Sequence, residues 1–169
     1  MLRWVLANVA GWTVGLSLST ISINSWFVIL VASLMFGAVV GAAQRFALQG
    51  QLPIRLEQWL QYSLYGGLAG VGVSFILIIP YLLSGDKLLA LGIGAIIGTS
   101  IGIWQSALIG GSARLWIGAN LIGGALCALL TSLQFIRGLP VGLLLGAAVY
   151  GYITGVTLQK MYSEASKND

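Results

Sequence analysis

The sequence predicts an all-α fold: a polytopic transmembrane bundle of six helices. Three observations predict it. The 169 residues are 58% hydrophobic and only 7% charged, whereas a soluble domain carries about 25% charged residues, so lipid must be the main solvent of this chain. Six stretches are each close to the roughly 20 apolar residues that cross a hydrocarbon core about 30 Å thick. Finally, a pattern of Trp, a small polar residue and Gly recurs three times along the chain.

The first span runs from about Trp4 to Ile21 and the second from about Trp26 to Leu48. The third runs from about Trp59 to Leu83, the fourth from about Leu88 to Ile109, the fifth from about Leu115 to Ile136 and the sixth from about Leu139 to Leu158. Turn-forming residues separate them: Ser22 to Ser25, Gly50 to Pro53, Ser84-Gly85-Asp86, Gly110-Gly111-Ser112, and Gly138 with Pro140. Pro140 suits the first turn of the last helix, where the missing N–H costs nothing. Pro80 is predicted to kink or finish the third helix. Trp4, Trp26, Trp59, Trp116, Tyr81 and Tyr162 fall near span ends, where an interfacial aromatic belt would place them. Arg3 and the apolar run behind it also fit a cleaved signal peptide; the first span's place in the repeat argues against that.

With six spans, Arg3, Arg45, Arg55, Arg114, Lys160 and Lys167 share the face that holds both termini, against Lys87 and Arg137 on the other. The positive-inside bias makes both termini cytoplasmic. The loops are too short for an extramembrane domain, so residues 1–169 read as a single transmembrane domain.

The repeat is clearest at the span starts. Trp4…Asn8…Gly11, Trp59…Ser63…Gly66 and Trp116…Asn120…Gly123 share one spacing, and their Trp residues lie 55 and 57 residues apart. The following span adds Gly37…Gly41…Gln44 in the first unit and Gly98…Gly102…Gln105 in the second. The third has Gly151…Gly155, with Leu158 in the Gln place. The units cover about residues 1–52, 53–112 and 113–160, leaving a short polar tail at 161–169. Two spans per unit make the repeats parallel, so the expected architecture is pseudo-three-fold about the membrane normal.

Gly contributes 24 residues. Pairs four apart lie on one helix face and let a neighbour's backbone approach. The helix-packing positions are Gly11, Gly15, Gly37, Gly41, Gly66, Gly70, Gly98, Gly102, Gly123, Gly151 and Gly155. Most such faces serve packing within the chain; the remainder would receive another subunit, a lipid or a cofactor. Asn8, Gln44, Gln105 and Asn120 carry amides that need partners in hydrocarbon, so they are expected inside the bundle. There they either hydrogen-bond between helices, line a solute path or hold a ligand.

Absences exclude more. No His occurs anywhere, and no Asp or Glu lies inside a predicted span; proton-coupled transporters use such groups at depth. A Ser-His pair is excluded, Lys87, Lys160 and Lys167 fall outside the spans, and there is no phosphate-binding loop, HExxH or CxxC. The lone Cys127 forms no internal disulfide and no metal site. An enzyme is not expected, no metal or other cofactor is predicted, and whether lipid or pigment binds stays open. The net charge of +4 is scattered, which argues against nucleic acid.

Hairpins that open with Trp and Gly and close on Gly-xxx-Gly-xx-Gln, with Gln44-Arg45 and Trp104-Gln105, resemble a group of small Gly-rich multi-pass membrane proteins of cyanobacteria and related bacteria. The resemblance covers the chain to about Gln159. It implies a bacterial inner or thylakoid-type membrane and adds no chemistry; Leu158 departs from its pattern.

The expected function is that of a non-enzymatic accessory or scaffold protein, packing among membrane lipids and other membrane subunits. The alternative is a small permease, channel or substrate-binding component of a transporter, with Asn8, Asn120, Gln44 and Gln105 along its path.

Overall fold

A computed structural model describes residues 1–19, 26–49, 55–109, 113–133 and 141–165. Six helices follow one another: α1 (Leu2–Ser19), α2 (Trp26–Leu48), α3 (Leu56–Ser84), α4 (Lys87–Ser106), α5 (Ala113–Ser132) and α6 (Val141–Ala165). Among the described residues, four stretches are long and apolar enough to cross a membrane: Glu57–Ser84, Lys87–Ser106, Ala113–Ser132 and Val141–Ser163. The 20 residues of α4 or α5 rise about 30 Å at 1.5 Å per residue, which matches the hydrocarbon thickness.

The turn between α3 and α4 shows how local chemistry sets an element. Gly85 stands at φ 65°, and its N–H donates to the Tyr81 carbonyl at 2.8 Å. A left-handed residue of this kind closes a helix cheaply only when it is glycine. Asp86 then caps α4, accepting from the Leu88 N–H at 2.8 Å, so one helix stops and the next starts within three residues. Pro80 does not finish α3. The helix runs one more turn to Ser84, whose Oγ donates to the Pro80 carbonyl at 2.9 Å. The turns predicted at 22–25, 50–53, 110–112 and 138–140, the positions of Arg137 and Lys167, and the side chain of Trp26 lie outside the described residues.

Each helix packs on its neighbours in chain order, and α6 packs back on α1, so the six close into a ring. Among the described residues no other helix pair comes into backbone proximity. The glycine pairs explain why the contacts are close. Gly11 and Gly15 of α1 face Val40 and Phe36 of α2; Gly37 and Gly41 of α2 face Ser63 and Leu64 of α3. Gly66 and Gly70 of α3 face Ile101 and Ile97 of α4; Gly98 and Gly102 of α4 face Asn120 and Ile117 of α5. Gly123 of α5 faces Tyr150 of α6, and Gly151 and Gly155 of α6 face Val5 and Trp4 of α1. Every pair points to the next helix, and the last to the first. A Cβ on Gly66 would stand 2.6 Å from the Ile101 Cα, closer than packed atoms tolerate, and backbone this near is what small residues permit. Four further glycines make contacts of the same kind: Gly94 and Gly124 against each other, Gly142 against Leu130, and Gly146 against Cys127. Gly142 and Gly146 are four apart, so the spacing that flagged the others also marks these.

Two apolar clusters fill the ring. One holds Trp4, Trp59 and Trp116 with Ala47, Leu48, Ile109, Leu158 and Met161. The other holds Trp12, Phe36, Val40, Ile101, Cys127, Ala147 and Tyr150.

Candidate functional site

The site is the polar layer where these two clusters meet. Trp4, Trp59 and Trp116 come together with ring centroids 6.2, 6.3 and 6.2 Å apart, two of the pairs edge-on, an arrangement the ring quadrupoles favour. Trp59 and Trp116 are fully buried and Trp4 nearly so. This corrects the expectation that they form an interfacial belt. A span end can face lipid headgroups or the bundle interior, and here ring closure turns these indoles inward. The outward aromatics are instead Phe46 of α2, Tyr152 of α6 and a cluster on α3 and α4. There Trp104 stacks on Tyr65 at 5.2 Å and Tyr62 at 6.0 Å, and Gln61 donates to the Tyr65 hydroxyl at 2.8 Å.

One turn inward of each Trp stands a small polar side chain. Asn8 Nδ2 donates to the Trp4 carbonyl at 2.9 Å, Ser63 Oγ to the Trp59 carbonyl at 2.8 Å, and Asn120 Nδ2 to the Trp116 carbonyl at 3.0 Å. A residue four positions on reaches back over one helical turn, so the shared spacing yields the same bond each time. Asn8, Gln44, Ser63, Gln105, Asn120 and Thr154 are all buried.

Gln44 joins two hairpins. Its Nε2 donates to Asn8 Oδ1 at 2.8 Å within its own hairpin, and its Oε1 accepts from Trp59 Nε1 at 3.2 Å in the next. Gln105 Nε2 likewise donates to Ser63 Oγ in its own hairpin at 2.9 Å, and also to Gln44 Oε1 at 2.9 Å. Leu158 offers neither bond, and two residues the sequence reading passed over divide the glutamine's work. Tyr150 donates to Asn120 Oδ1, and Thr154 Oγ1 accepts from Trp4 Nε1 at 2.9 Å. Tyr150, Thr154 and Leu158 are successive positions four apart on α6, so they share one face. That spacing is the signal that could have found them.

All four amides named from the sequence thus lie in this layer. Asn8, Gln44 and Gln105 are linked directly, while Asn120 pairs with Tyr150. Such a layer can hold six helices in one register and rotation. It offers no ionisable carboxylate or imidazole, and among the described residues no group of three or more His, Cys, Asp or Glu could hold a metal ion. No protein-family model matches the chain, and neither a curated protein nor a solved structure matches it.

Proposed function

We propose that this chain is a non-enzymatic integral membrane protein that works by packing, as an accessory or scaffold component of a larger membrane assembly. It crosses the bilayer six times as three parallel helical hairpins about a pseudo-three-fold axis, with both termini cytoplasmic. The observation that carries the reading is that the amides of the interior polar layer are tied to other protein groups. A solute path needs side chains left free to replace water around the solute, and here Gln44 makes three hydrogen bonds to protein groups. The matched Trp spacing, the three equal back-bonds and the three-Trp contact support the repeat. The excess of Arg and Lys on the face with the termini supports the orientation.

The glycine faces are covered by helices of the same chain, so a partner has to use the outer surface. That surface is most open along α3, where Val73, Ile76, Ile79, Leu82 and Leu83 are exposed. Native purification in mild detergent, followed by mass spectrometry of what accompanies the chain, tests the reading. Stoichiometric recovery with a larger complex is expected; recovery solely as a free monomer in native lipid would overturn it.

The double substitution Gln44→Leu with Gln105→Leu separates packing from passage. Interhelical hydrogen bonds in membranes are worth about 0.6 kcal/mol each, so the double variant, which removes four of them, should lose about 2.5 kcal/mol and still assemble. In a permease or channel it would abolish flux into liposomes while leaving the fold intact.

The membrane placement has its own test. Trp104, 39% exposed beside Tyr62 and Tyr65, belongs at headgroup depth. Lipids brominated near the glycerol should quench its fluorescence, so the quenchable fraction should fall when Trp104 is replaced by Phe. Quenching that survives Trp104→Phe unchanged would place the emitting indoles elsewhere.

A further inference from the structure

Two polar atoms in the axial layer have no protein partner: Trp116 Nε1, a donor, and Gln105 Oε1, an acceptor. Both residues are fully buried. The neighbouring hairpins show what these positions ordinarily do. Trp59 Nε1 donates directly to Gln44 Oε1, and Trp4 Nε1 to Thr154 Oγ1. Trp116 and Gln105 are the corresponding donor and acceptor. Their link is missing because the Gln105 amide is held elsewhere: its Nε2 donates both to Gln44 Oε1 and to Ser63 Oγ. Those two bonds fix the plane of the amide, and its oxygen cannot swing to the indole without giving one of them up.

A buried donor and a buried acceptor each demand a partner. With both side chains closed off from solvent, the partner has to be held inside the bundle, and water is the smallest molecule that both accepts and donates. We propose that one ordered water molecule is bound between Trp116 Nε1 and Gln105 Oε1, accepting from the indole and donating to the amide. Its bonds join the Asn8–Gln44–Gln105–Ser63 network to Trp116 of α5, a second polar tie to the α5–α6 hairpin beside the Trp4–Thr154 hydrogen bond between α1 and α6. A carbonyl-bearing ligand could satisfy the indole but would leave the Gln105 oxygen unpaired. Water serves both, as buried waters commonly do with two to four partners.

The test uses the wild-type chain, labelled with 15N at tryptophan and reconstituted in lipid nanodiscs. Trp4→Phe, Trp59→Phe and Trp116→Phe assign the three axial indole N–H signals. A water-to-indole cross-relaxation peak of the sign given by long-lived bound water is expected at Trp116 and absent at Trp4 and Trp59. No such peak at Trp116 would overturn the proposal, because the indole would then be bonded directly to protein or left bare. Equal peaks at all three indoles would overturn it too, since they would mean an axis filled with exchanging water.

Discussion

Gly98→Ala is expected to cost about 3 kcal/mol, the upper end of what overpacking a closed interface costs. The new methyl would overlap the Asn120 carbonyl oxygen and crowd the Gly124 Cα at 3.2 Å. Neither atom is the end of a flexible side chain, so α4 and α5 have to move apart as bodies. Gly94 and Gly124 meet on the same seam, and the separation would loosen them as well. In lipid the loss is felt fully. Hydrocarbon solvates helix faces as well as protein does, so close van der Waals approach carries the association. Gly118→Ala supplies the control: apart from its own helix backbone, nothing lies within 4 Å of its added methyl. It should be neutral or stabilise by up to about 1 kcal/mol, the difference in helix propensity. Unfolding of both variants by a denaturing detergent in mixed micelles measures the contrast, and equal midpoints would mean that α4 and α5 are not in backbone contact.

The six helices were legible because hydropathy needs no tertiary information: an apolar run of sufficient length declares itself. The glycine pairs were legible for a related reason, since a spacing of four defines a face whatever lies opposite. Which helix lies opposite is not encoded in spacing alone. Gly151 and Gly155 carry the same pattern as Gly37 and Gly41, yet the former seat α1 and the latter α3.

The aromatic residues mark where sequence reasoning went astray. Trp4, Trp59 and Trp116 sit where belt tryptophans sit, and position along a span does not report direction. Asn8, Ser63 and Asn120, each four residues on, did carry that information. An amide or hydroxyl that must turn inward brings the residue one turn before it to the same face. Leu158 tells a similar story. Read as a missing glutamine, it set the third unit apart from the pattern of the first two. Tyr150 and Thr154, two turns and one turn earlier on the same face, take over its donor and its acceptor. The role had moved along the helix, and a search of aligned positions could not follow it.

Trp59→Ala should be the most damaging side-chain truncation, within the range of about 3–5 kcal/mol for large aromatics removed from cores. The indole is fully buried, touches both other members of the Trp cluster and donates to Gln44. The two environments the chain could occupy give different magnitudes within that range. In water, the cost combines lost transfer free energy with the cavity. In a bilayer the separated helices still bathe in hydrocarbon, so the transfer component nearly vanishes and the cavity and lost contacts dominate, which places the cost near about 3 kcal/mol. Trp59→Phe keeps a ring in the cluster and removes the N–H. Gln44 Oε1 would retain the Gln105 donor, so the loss should be about 1 kcal/mol, that of one hydrogen bond. If the indole acts through Gln44, Trp59→Phe on a Gln44→Leu background should cost less than on the wild type, because the acceptor is already gone. An identical cost on both backgrounds would show that Trp59 works through ring packing alone and that its bond to Gln44 does not couple the two hairpins.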